Sequence, residues 1–174
     1  MHFCVFETTL GACGIAWGEH GVAGIQLPEP DVRTRLRRRF PGAREASAPP
    51  ALAEVIERIT ALLRGERVDL SMVQLDMDRV PPFERQVYEV TRTIPAGETL
   101  SYGQIAGRLG EPRLAREVGQ ALAHNPFPIV VPCHRVLAAD GKLGGFSARG
   151  GVATKQRLLE TERANVSWQL PLVP

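Results

Sequence analysis

Over the first thirty residues, apolar side chains come in short runs cut by glycine and closed by proline: HFCVFETTLG (2–11), GIAWGEHG (14–21) and VAGIQLPEP (22–30). Runs of that length and punctuation predict three β segments joined by tight turns. EPDVRTRLRRRF (29–40) follows as a basic helix. In PPALAEVIERITALLRGE (49–66), Leu52, Val55, Ile56, Ile59, Leu62 and Leu63 recur at helical spacing, and Gly65 supplies a stop. VDLSMVQLDMD (68–78) alternates like a strand. Together these predict a small sheet-plus-helix unit over residues 1–77, with residues 78–82, including RVPP, as the join.

From Phe83 the spacing turns helical. PPFERQVYEVTRTI (81–94) starts behind prolines and carries Phe83, Val87, Val90 and Ile94 along one side. PAGETLSYGQIAGRLG (95–110) turns at Pro95–Gly97, starts a short helix near Ser101 and closes at Gly110. RLAREVGQALAHN (113–125) is a further helix, ended by Asn125-Pro126. A short helix, a turn and a second helix outline a helix-turn-helix, so residues 83–174 are expected to form a mostly α domain. Ala115, Gly119, Ala121 and Ala123 keep the second helix slim. That suits tight packing inside the protein as well as close approach to a partner.

Composition narrows the class. A chain of 174 residues can form one large domain or two small ones with a real core. No apolar run reaches the roughly 18–20 residues of a membrane span, and MHFCVFETTLG lacks the pattern of a secretion signal. Three cysteines, Cys4, Cys13 and Cys133, are an odd set without framework spacing. They point to a reducing, cytoplasmic setting and at least one free thiol. The Cys-x8-Cys spacing fits no common zinc pattern, with His2 and His20 considered alongside, so no metal is expected. A formal net charge of +2 does not announce a nucleic-acid binder. Its distribution adds a little: residues 1–82 carry 10 basic and 11 acidic side chains, residues 83–174 carry 11 and 8. Arg35, Arg37, Arg38 and Arg39 suit phosphate contact, but a solvated helix face explains them at least as well.

The candidate chemistry lies in NPFPIVVPCHRV (125–136). PIVV reads as a buried strand, and Pro132 breaks it into a turn that holds Cys133 beside His134. A thiol with its ordinary pKa near ~8.5 is only a few per cent ionised at neutral pH, so a nucleophilic cysteine needs a base or positive charge nearby. Neighbouring side chains on a strand face opposite ways, so direct contact between thiol and imidazole is not guaranteed and a bridging water is the alternative. GKLGGFSARGGVATKQRLLETE (141–162) then runs from a glycine-rich loop into a helix, with Leu158 and Leu159 inward. Glu162 at its end could orient His134, giving a Cys–His–acid relay. A buried cysteine is more often core filling, but the Pro-Cys-His-Arg string and the glycine loop behind it argue for a nucleophile.

IVVPCHRV resembles the active-site signature of the O6-alkylguanine-DNA alkyltransferases, the methylated-DNA–protein-cysteine methyltransferases. The likeness extends through PFERQVYEVTRTIPAGETLSYGQIAGRLG, AREVGQALAHNP and GGVATKQRLLETE, covering residues 83–163 almost continuously. The resemblance implies an α/β N-terminal domain with a small antiparallel sheet, supporting a mostly α C-terminal domain with a winged-type helix-turn-helix. The second helix would enter the minor groove of double-stranded alkylated DNA, and the damaged nucleotide would be flipped into a pocket. It implies a single-use protein that moves a methyl or other alkyl group from O6 of guanine, with O4 of thymine a further candidate, to its own cysteine. No cofactor is needed. A monomer is implied, with cooperative binding on DNA left open.

Carried onto this sequence, the resemblance makes Cys133 the alkyl acceptor, His134 the base acting through water, and Glu162 the group that holds the imidazole. Arg116 matches the arginine that fills the gap left by the flipped nucleotide. Tyr102 matches the tyrosine near the target phosphate and the departing ring. Ala115, Gly119 and Arg135 join the DNA-facing set. Asn125 would brace the active-site turn. The carbonyls of Cys133 and Val136 would accept from the guanine amine, Phe146 would wall the pocket, and a Ser147 backbone group would meet the guanine oxygen.

The sequence departs from the family pattern at Phe146, where many relatives have Tyr. The loop GFSARGGVATK is two residues longer than the shorter family form, around Ala148–Arg149; this either enlarges the pocket or is neutral. Rival readings are a Cys–His hydrolase with turnover, a lesion-binding relative that does not repair, and a helix-turn-helix regulator of undamaged DNA.

Overall fold

A computed structural model describes residues 1–163, so the last part of the expected 83–174 domain lies outside the described residues. Three strands, β1 (His2–Thr8), β2 (Gly11–Gly18) and β3 (Gly21–Gln26), form an antiparallel meander. A short β4 (Arg44–Glu45) then adds to the far side of β1 in parallel, giving the order β3-β2-β1-β4. The sheet is therefore mixed, correcting the expected purely antiparallel one: two residues of pairing after a helix carry too weak a pattern to read.

Alternation along these strands sends side chains to two faces. Phe3 and Ala16, directly paired, pack with Val32 and Leu36 of α1 (Val32–Arg39). Ile15 and Ile25 face the larger core with Ile59 and Leu62 of α2 (Pro50–Leu63). Asp31 caps α1, its carboxylate accepting from the Thr34 amide at 2.9 Å.

VDLSMVQLDMD is not a strand. Only Leu75 bridges Val22, through Val22 N–H to the Gln74 carbonyl at 2.9 Å and Asp76 N–H to the Val22 carbonyl at 2.8 Å. Asp69 captures the Ser71 amide at 2.8 Å and Asp76 the Asp78 amide at 3.2 Å. These aspartate turns bend the chain, and Leu70, Val73 and Leu75 dip into the core from a loop. Gly21 makes room for it: a Cβ there would stand 2.5 Å from the Gln74 carbonyl oxygen, and its φ is +112°.

The same core continues into the second half through α3 (Pro82–Arg92), whose Val87 and Tyr88 are fully buried. Tyr88 donates its hydroxyl to the Ala121 carbonyl at 2.9 Å, tying α3 to α5 (Ala115–Ala123). Between them lies α4 (Tyr102–Arg108), started by a Ser101/Gln104 capping box. A 3-10 turn, Pro112–Leu114, precedes α5, so the predicted 113–125 helix is tighter at its entry and ends at His124. A two-residue parallel pair, β5 (Leu100–Ser101) with β6 (Val136–Leu137), joins α4 to the segment after Cys133. The final described helix is α6 (Gly151–Thr161).

Candidate active site

PIVV, Pro128–Val131, does not form the expected buried strand. Val130 and Val131 are buried, but the segment folds as a turn with one bridge, Pro128 to Val131. Prolines at 126, 128 and 132 lack the N–H groups a ladder needs, so four apolar residues are buried without pairing. Asn125 holds the turn at both ends. Its amide donates to the Val131 carbonyl at 2.8 Å, and its carbonyl oxygen accepts from the Phe127 amide at 2.9 Å. Ile129 sits at φ 77°, a left-handed conformation rare for a β-branched residue, and the bracing from Asn125 offsets that cost.

The turn delivers Cys133 at the start of a 3-10 turn, Cys133–Arg135, at the edge of the main core. Burial pushes the Cys133 thiol up. The Asn125 side chain, the Lys155 charge and the amides of Cys133 and His134 pull the other way. His134 is 1% exposed, and its Nε2 lies 2.9 Å from a Glu162 oxygen. A carboxylate only accepts, so Nε2 carries the proton and Nδ1 keeps its lone pair. Burial holds the imidazole pKa below its ordinary value against the pull of Glu162, so the ring is neutral at neutral pH. Nδ1 is buried and has no hydrogen-bond partner among the described residues.

Glu162, at the C-terminal cap of α6, is the anchor of this cluster. Arg135 grips it with two hydrogen bonds, Nε at 2.9 Å and Nη2 at 2.7 Å, and gives its third nitrogen to the Ile94 carbonyl. Burial alone would raise the Glu162 carboxyl, yet these partners hold it down at about 2. This corrects the expectation that Arg135 faces DNA: it is 6% exposed and its guanidinium is spent inside the protein.

Lys155 is a site residue that the sequence reading missed. It is fully buried, donates from Nζ to the Val136 carbonyl at 2.6 Å, and sits 5.8 Å from the centre of the Tyr102 ring. Burial lowers its pKa to about 8, and the nearby Cys133 opposes that. A signal was present: Lys155 lies three and four residues before Leu158 and Leu159, on the inward face of the helix. Lys155 thus engages one of the two carbonyls expected to serve the guanine amine, and the other, that of Cys133, accepts from the Val136 amide.

In front of Cys133 lies a cavity of about 530 Å³ that brings together Tyr102, Ala115, Arg116, Gly119, Phe146 and Ser147. Arg116 is exposed at its rim on α5. Tyr102 is half-buried, and its phenol is pushed up by burial and then by Cys133, so it stays protonated. Asn125 lines an adjoining cleft instead. Val136 is fully buried behind Cys133.

Of the basic run, Arg33 and Arg37 pair with Glu45 on the surface. Arg39 does otherwise: it reaches across to the carbonyls of Ile25 and Pro126, both at 2.9 Å, joining β3 to the active-site turn. Gly24 lets it pass, since a Cβ there would lie 2.8 Å from its Nη2. All three cysteines are free. Burial pushes Cys13 up to about 11, which makes it a core thiol. Among the described residues, the grouping that brings three metal-ligating side chains together is His20, Asp76 and Asp78, not the set containing Cys4 and Cys13.

Comparisons with known proteins agree with this geometry. A family described as "6-O-methylguanine DNA methyltransferase, DNA binding domain" matches residues 82–164. A methylated-DNA–protein-cysteine methyltransferase of Methanothermobacter thermautotrophicus is 38% identical over 157 residues, spanning 90% of this chain and 82% of that protein. The one from Mycolicibacterium paratuberculosis is 46% identical over 124 residues, 71% of this chain and 73% of its own. The crystal structure of Mycobacterium tuberculosis OGT in complex with DNA superposes with a TM-score of 0.77 at 35% identity, covering 94% of this chain and 93% of that one. With Cys133 lining the cavity and relatives of 38% and 46% identity sharing most of its length, the chain belongs to the methylated-DNA–protein-cysteine methyltransferase family.

Proposed function

We propose that Cys133 accepts the alkyl group from O6 of guanine in duplex DNA, once per molecule. One observation carries this most of all. Cys133 lines a cavity and sits beside a neutral His134 whose buried Nδ1 has no hydrogen-bond partner among the described residues. A water held between Nδ1 and the thiol would let the imidazole take the proton as the sulfur attacks. The carbon–O6 bond then breaks, its electron pair stays with guanine, and guanine regains a proton. Tyr102, which lines the same cavity and keeps its proton at neutral pH, is the donor that would ease that departure. The product is a thioether that the site has no means of reversing.

Double-stranded DNA is the partner in this reading. Residues 1–77 support, and residues 83–174 act. The α4–α5 pair serves as the helix-turn-helix of a winged type, with α5 laid into the minor groove, where Ala115 and Gly119 present little bulk. Arg116 at the cavity rim fills the gap left by the flipped nucleotide. The protein acts as a monomer in the cytoplasm; three unpaired cysteines support a reducing setting, and no described helix is long and apolar enough to cross a membrane.

Incubation with a duplex carrying labelled O6-methylguanine tests this. One label per protein should appear on Cys133, and none on Cys133→Ser. Release of labelled product over many cycles, or labelling of the serine variant elsewhere, would remove the assignment.

A further inference from the structure

Two hollows reach Cys133, and the flipped guanine accounts for only one. The other, about 330 Å³, leaves Cys133, Asn125 and Phe146 and opens between β3 and the loop before α6, past Arg35, Arg39 and Arg149. Three guanidinium groups stand there against the single carboxylate of Glu29. Arg39 is committed to two carbonyls. Among the described residues, Arg35 has only a long 3.7 Å contact with Glu29, which also accepts from Gln26. Arg149 is exposed, and among the described residues only its backbone carbonyl is engaged, by the Thr154 hydroxyl.

Displacement geometry gives this cleft a use. Sulfur, alkyl carbon and O6 must lie close to one line as the bond changes hands, so any further substituent atoms project sideways from that carbon. With the base against Tyr102 and Gly119, the sideways room at Cys133 is the arginine-lined cleft. We propose, on the reading of Cys133 as alkyl acceptor, that this cleft receives the remainder of a larger O6 substituent, and that Arg149 and Arg35 favour anionic carboxyalkyl groups over neutral ones of similar size. The two-residue lengthening of the loop at Ala148–Arg149 then has a purpose: it supplies the free charge. For a carboxymethyl lesion, the sulfur bonds to the methylene carbon as the carbon–O6 bond breaks. The thiol proton ends on guanine, and the carboxylate stays on the protein as S-carboxymethylcysteine.

Single-turnover rates of the whole protein on duplexes carrying O6-methyl-, O6-(2-hydroxyethyl)- and O6-carboxymethylguanine decide the matter. Arg149→Glu should lower the carboxymethyl rate about fivefold to tenfold relative to the hydroxyethyl rate at low salt, with a smaller effect at high salt. Arg35→Ala should give a weaker loss of the same kind, Arg149→Lys should keep most of the preference, and the methyl rate should stay within about twofold. An unchanged carboxymethyl-to-hydroxyethyl ratio would show that the cleft does not read charge. Equal losses on all three lesions would place Arg149 on the DNA backbone; either result overturns the inference. Failure of the unaltered protein to take up even methyl would instead overturn the reading of Cys133, and this one with it.

Discussion

A histidine that is to take a proton from a thiol must be neutral, with its lone pair on the correct nitrogen, and the surroundings of His134 meet both conditions. Glu162 accepts a hydrogen bond from the Nε2–H, and burial keeps the ring from charging. Because that pKa lies below the ordinary 6.5, the base form is present through neutral pH and is lost only as pH falls further. The transfer rate should therefore be level across neutral pH with an acid limb centred below 6.5, measured under single-turnover conditions with the fold intact. An acid limb centred above that value would show that the imidazole is not held neutral.

At the scale of the element, α5 is asked to do two things that most helices do separately. Val118, Ala121 and Leu122 bury one side against the core, and Tyr88 fastens its end. The other side stays slim and exposes Arg116. If that arginine stands in for the extruded nucleotide, it offsets an unstacking cost of a few kcal/mol in duplex DNA and none for a free base. Arg116→Ala should thus slow repair of duplex by about tenfold or more and leave reaction with free O6-methylguanine base nearly unchanged. Equal losses on both substrates would mean that Arg116 serves the pocket and not the stack.

For the whole molecule, the weight falls on one buried carboxylate. Glu162 ends α6, orients His134 and neutralises Arg135, whose third nitrogen holds the end of α3 through Ile94. Removing one partner of a buried pair leaves an uncompensated charge, so Glu162→Gln should cost about 3–5 kcal/mol in denaturant unfolding. The sign with pH follows from the depressed pKa. The carboxyl is held at about 2 when folded against 4.5 ordinarily, so its stabilisation is complete above 4.5 and drains away as pH falls toward 2. The gap between the two proteins should close over that window, and a gap that stayed constant would show that the charge of Glu162 is not what stabilises.

Hydrophobic spacing and local chemistry along the chain were enough to determine the three-strand meander, the helices from α1 to α6 and the reactive string around Cys133, because periodicity, caps and prolines act over a few residues. The candidate relay was legible for the same reason, since Pro-Cys-His-Arg is contiguous and Glu162 ends a recognisable helix. What lay beyond reach was where side chains end up after the halves pack. The buried state of Arg135, the crossing of Arg39 to Pro126, the parallel β4 and the turn at 126–131 all depend on partners distant in sequence. Only the tertiary structure decides them, because an arginine, a lysine or a short apolar run has the same local signature whether water or a carbonyl from another element completes its hydrogen bonds.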